Sequence, residues 1–79
     1  MEIAILGMGC ANCQRLEENV KKAASEMKIK AKIVHVSDIA KIMEYGVTST
    51  PALVIDGEVA LMGRVPNVNE LKEIIGDSV

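Results

Sequence analysis

Ile3-Ala4-Ile5-Leu6 is a short unbroken apolar run closed by Gly7, the pattern of a strand buried on both faces. Beyond Cys13 the period changes. Leu16, Val20, Ala23, Ala24 and Met27 recur at helical spacing, while Glu17, Glu18, Lys21, Lys22 and Glu26 take the opposite face, which predicts an amphipathic helix. Ala31 to Val36 is a second, β-branched strand run. Ser37 or Asp38 then caps a short helix that turns Ile39, Ile42 and Met43 inward and stops at Gly46. Val47 to Pro51 is irregular and leads into Ala52-Leu53-Val54-Ile55, and Asp56-Gly57 joins that run to Glu58-Val59-Ala60-Leu61-Met62 as a two-residue hairpin. Asn67 and Glu70 resemble a capping box that opens a last helix, with Leu71, Ile74 and Ile75 on one face and Gly76 at its close.

The predicted order is βαβαββα. A right-handed crossover makes the first two strands parallel, and the hairpin is antiparallel, so the expected architecture is α/β, a mixed four-stranded sheet flanked by three helices. Residues 1–79 form one domain with no internal repeat, linker or low-complexity segment. The chain is 49% hydrophobic without Phe or Trp, so its core is aliphatic. Nine basic against eleven acidic side chains, with no long run of either sign, give no electrostatic footprint for nucleic acid or an anionic membrane. Met1 to Leu6 lacks the basic residues and the length of a signal-peptide core, and no run approaches a membrane span. The expectation is a cytoplasmic monomer.

Cys10 and Cys13 are the only cysteines, and they sit where the first strand pattern gives way to the first helix. In the cytosol a lone pair is more often catalytic or metal-binding than a structural staple. A disulfide closing two intervening residues would constrain the unfolded chain little. Two thiols so spaced at a helix start are placed to form a reversible disulfide, and the helix N-terminus stabilises the first as a thiolate. Thiol–disulfide exchange is the leading function.

Taken with Thr50-Pro51, the Asp56-Gly57 hairpin and Met62-Gly63-Arg64-Val65, the run Gly7 to Cys13 resembles the thioredoxin-like superfamily, specifically its minimal group often labelled redox-active disulfide protein 2. The resemblance covers essentially the whole chain. It implies that Cys10 is the exposed attacking thiolate and Cys13 the buried resolving thiol. It also implies that Thr50-Pro51 faces the cysteines across the active site, with the peptide bond before Pro51 cis, a form rare for X-Pro in general. Gly9, Ala11, Asn12, Thr50, Pro51 and Gly63 would then line the substrate groove. The only redox centre implied is the Cys10-Cys13 disulfide, with no bound cofactor and no metal. The implied partners are disulfide-containing target proteins and a donor of the thioredoxin-reductase type. Gly9 and Ala4 stand where many thioredoxins carry a Trp and a buried Asp, which leaves no obvious carboxylate base for Cys13. Ala11-Asn12 replaces their Gly-Pro, so the potential is bounded only by the superfamily range of roughly -270 to -120 mV.

Other classes compete. Gly7-Met8-Gly9-Cys10-Ala11-Asn12-Cys13 also matches the Gly-Met-x-Cys-x-x-Cys loop of small copper-chaperone domains, although those are βαββαβ and end on a strand. An interaction module with incidental cysteines is a third reading. Structural zinc is weaker, because His35 is the only histidine. His35 reads by default as a half-buried or edge strand residue, Arg64 as a solvated loop cation, and Met8, Met43 and Met62 as gap-fillers of an aliphatic core.

Overall fold

The unbroken apolar run at the chain start becomes an inner strand covered on both faces. The computed structural model describes residues 1–9 and 11–78, in the order β1 (Glu2–Leu6), α1 (Ala11–Glu26), β2 (Lys32–Val36), α2 (Ile39–Glu44), β3 (Ala52–Ile55), β4 (Glu58–Met62) and α3 (Val68–Ser78). The four strands form one mixed sheet in the order β2-β1-β3-β4. β1 runs parallel to β2 and antiparallel to β3, and β3 pairs antiparallel with β4.

Alternation along β1 splits its side chains between two cores. Ile3 and Ile5 join Leu16, Val20, Leu53 and Leu71 under α1 and α3, while Ala4 and Leu6 join Ile42, Val47, Ala52 and Val54 under α2. The hairpin turn forms at Asp56 and Gly57, both at positive φ (49° and 87°) as a primed turn requires. Asp56 also ties the turn to β1: its N–H donates to Glu2 O, and its Oδ1 accepts from Glu2 N, each at 2.8 Å.

Of the two caps open to α2, the chain uses Asp38, whose Oδ1 accepts from Ala40 N at 2.9 Å. Gly46 lies just past the helix at φ +76° and donates to Met43 O, as a C-terminal stop should. Only Ile42 of this helix is buried. Ile39 and Met43, expected inward, are 57% and 68% exposed, because a helix of six residues turns only one position onto the sheet. Met8 and Met62 are likewise exposed and do not fill the core. A helix this short leaves β2 partly uncovered beside it, along a groove lined by Ala4, Val34, Val36 and Tyr45.

α3 corrects two further expectations. Asn67 Oδ1 caps it by accepting from Glu70 N at 2.8 Å, but the Glu70 carboxylate pairs with Arg64 rather than completing a capping box. Arg64 is the solvated loop cation expected, with Glu70 as its partner. Its guanidinium holds the Glu70 carboxyl below the usual carboxylate range, and Glu70 in turn raises Arg64. Gly76 does not end the helix, which continues to Ser78, and the Met27 methyl group lies close to it. Lys72 pairs with Glu26 across α1 and α3 and lowers the Glu26 carboxyl.

Candidate active site

The site forms where β1 and β2 end and β3 begins. β1 closes at Gly7, whose N–H extends the parallel ladder by donating to Val36 O at 2.9 Å. α1 starts at Ala11 and puts Cys13, fully buried, in its first turn. A Cβ on Gly7 would lie 2.1 Å from Cys13 Sγ and 3.9 Å from Pro51 Cα. Glycine is thus required there by close approach rather than by backbone angle: the sulfur occupies the space any side chain would need. One contact brings together the end of β1, the second cysteine and the proline.

Pro51 is buried, and the peptide bond joining it to Thr50 is cis. Its carbonyl accepts from Gly63 N at 2.9 Å, which fastens the end of β4 to the proline loop. Gly63 has φ +79°, and a Cβ there would press on Ser49 Cβ at 3.3 Å, so both the angle and the space favour glycine. Met62 accepts a weak 3.7 Å contact from Thr48 Oγ1 on the same loop.

Gly9, Ala11, Asn12, Thr50 and Gly63 are exposed around this centre. Cys10, the expected attacking thiol, lies outside the described residues. No polar or charged side chain is buried among the described residues. Those residues also hold no cluster of three or more His, Cys, Asp or Glu able to bind a metal ion.

The sequence profile described as "Thioredoxin domain" matches residues 1–76. The chain belongs to the thioredoxin family. It is 44% identical over 75 residues to a thioredoxin of Methanothermobacter thermautotrophicus strain Delta H, covering 95% of this chain and 97% of that one. A thioredoxin of Methanocaldococcus jannaschii is 44% identical over 71 residues, 90% of this chain and 81% of its own. The minimal thioredoxin-like architecture expected from the element order is the one observed.

Within the family pattern, the two departures at Ala4 and Gly9 have local structural settings. Ala4 is buried in the small core under α2. Gly9 sits at φ +80°, where a tryptophan would be strained.

Two residues of the site were not singled out as such by sequence. Gly7 stood in the motif, but its contact with the Cys13 sulfur is not written in any local pattern. His35 lies on edge strand β2 with its Nε2 3.2 Å from Gly7 O. The available signal was the strand register, which puts His35 beside Ile5, two residues before Gly7.

Proposed function

We infer that the chain is a thiol–disulfide oxidoreductase that cycles Cys10 and Cys13 between dithiol and disulfide. The observation that carries the reading is the seat of Cys13: its sulfur is buried in the first turn of α1 against Gly7, whose α-carbon also faces Pro51. Membership of the thioredoxin family supplies the chemistry for that arrangement.

In the cycle, the Cys10 thiolate attacks one sulfur of a target disulfide. The target S–S bond breaks, and its other sulfur leaves with the bonding pair and takes up a proton. Cys13 then loses its proton to solvent and attacks the Cys10 sulfur of the mixed disulfide, releasing the second target thiol. Two electrons and two protons pass from the dithiol to the target, and the Cys10-Cys13 disulfide remains. Helix N-termini favour anions, which suits a thiolate entering α1.

Pro51 offers no N–H, so the chain runs close to Gly7 without adding an unpaired donor. The exposed Thr50 backbone before it is the anchor for an extended target segment, with Gly9, Ala11, Asn12 and Gly63 forming the rim. The oxidised pair is recharged by a reduced dithiol donor of the flavoprotein thioredoxin-reductase class, and we place the cycle in the cytosol. No helix among the described residues is long and apolar enough to cross a membrane. The copper-chaperone reading loses its support, because α2 stands between β2 and β3, where the order βαββαβ has two strands in succession, and because the family match is to thioredoxin.

A glutathione redox titration combined with insulin disulfide reduction tests this. Wild type titrates as one two-electron couple and turns over insulin, C10S is inactive, and C13S stalls as a mixed disulfide with its target. Turnover retained by C10S, or a pair that never forms the disulfide, would overturn the assignment.

A further inference from the structure

β2 grips Gly7 at both polar ends, and only one grip belongs to the sheet. The Gly7 N–H continues the ladder to Val36 O. One step further, a parallel ladder would offer the Gly7 carbonyl the N–H of residue 38. By then the chain has turned away, with Asp38 serving as the cap of α2. The carbonyl is met instead by the imidazole of His35, Nε2 to O 3.2 Å, in a partly buried setting. A carbonyl only accepts, so His35 donates, and the proton is assigned to Nε2 on that ground.

We propose that His35 is a positioning residue for thiol exchange: its Nε2–H clamps the Gly7 carbonyl and thereby fixes the seat of the Cys13 sulfur. The proposal rests on the redox role inferred above for the cysteine pair. Its physical basis is the absence of slack at Gly7. A Cβ there would overlap Cys13 Sγ at 2.1 Å, so the sulfur packs directly on the Gly7 backbone and follows it when it moves. The step served is the second of the cycle. There Cys13 Sγ bonds to the Cys10 sulfur, while the target sulfur leaves with the bonding pair and takes up a proton. Such a displacement needs its three sulfurs in line, and rates fall steeply with misplacement of the attacking atom. His35 acts on this step through Gly7, not on a sulfur. Because the contact is only partly buried and His35 as a residue is exposed, the clamp contributes more to placement than to global stability.

The experiment uses Ellman's reagent as target with wild type, H35A and H35Q. Reduced protein releases a first thionitrobenzoate in a bimolecular phase as Cys10 is modified, and a second in a unimolecular phase as Cys13 attacks. Expected for H35A is an unchanged first phase and a second phase slowed about three- to tenfold, the loss that a fraction of an ångström of misplacement produces. H35Q restores the second phase, since the glutamine amide N–H takes the place of Nε2–H without a ring or a titrating charge. The Gly7 carbonyl ¹³C shift moves in H35A and returns in H35Q. A second phase unaltered in H35A, or H35Q as slow as H35A, would overturn the clamp. A wild-type protein that releases no second thionitrobenzoate overturns the redox pair itself, which separates the two failures.

Discussion

Replacing Gly7 by alanine places a methyl group where the structure already holds a sulfur. The new Cβ would sit 2.1 Å from Cys13 Sγ and 3.3 Å from Cys13 Cβ. Carbon and sulfur need well over 3.5 Å, so one of them must move by more than ~1 Å. Cys13 is fully buried in the first turn of α1, and Gly7 is pinned to β2, so neither gives way easily. Overpacking of this kind costs about 1–3 kcal/mol, and the depth of the overlap puts G7A at the upper end. Gly7 is not at positive φ, so alanine also restricts the unfolded chain and regains about 0.4–1 kcal/mol. The net expectation is a loss of about 2 kcal/mol, a fall in Tm of about 8–16 °C for a domain this small. Urea denaturation under reducing conditions measures it. A double-mutant cycle isolates the cause, because C13A deletes the sulfur and leaves only the 3.3 Å contact with Cβ. In the C13A background G7A should cost about 1–2 kcal/mol less than in wild type. Equal costs in the two backgrounds, or a neutral G7A, would refute the claim that the sulfur is what demands glycine.

Three further perturbations read other parts of the frame. G63A combines φ +79° with a 3.3 Å approach to Ser49 Cβ and should lower stability by about 1–2 kcal/mol, seen as a lower urea midpoint with an unchanged m-value. N67A removes the oxygen that accepts from Glu70 N and should cost about 1 kcal/mol by the same assay, while N67D should cost much less. The Glu26 and Glu70 carboxyls are held below their ordinary value by hydrogen bonds from Lys72 and Arg64. Acid therefore protonates the unfolded chain first: the stabilisation is complete above the unfolded carboxylate value and is lost as pH falls through the lowered folded values. Urea midpoints from pH 7 down to 3 should fall less steeply in the E26Q/E70Q double variant, and an identical slope would show that these ion pairs are not formed in solution.

The elements were legible because their signals are local. Period two against period 3.6, Asp56-Gly57 at the hairpin and Asn67 before the last helix each act within a few residues, and each is used in the structure. Misreadings arose where a partner elsewhere in the chain decides. Gly76 looks like a helix stop, yet nothing at its own position requires positive φ, and Met27, the residue after the first helix, packs close to it. Ile39 and Met43 fit an inward face, but the length of α2 allows only Ile42 to reach the sheet. At the site, the Cys10/Cys13 spacing and Thr50-Pro51 were visible. The sulfur's seat on Gly7 and the imidazole on its carbonyl depend on where the β1–β2 ladder runs out, which no local pattern encodes.

That point also explains how the site is held without buried charge. Where strands end, backbone groups lose their ladder partners, and a buried cysteine there needs surroundings that add no unpaired polar atoms. Gly7 contributes no side chain, its N–H goes to Val36 and its carbonyl to His35. Pro51 has no N–H to satisfy, and its carbonyl is taken by Gly63. No acid or base is buried among the described residues. The seat of the Cys13 sulfur is thus built from backbone rather than from charge, and in the proposed cycle the His35 clamp on the Gly7 carbonyl would hold that seat while the mixed disulfide is resolved.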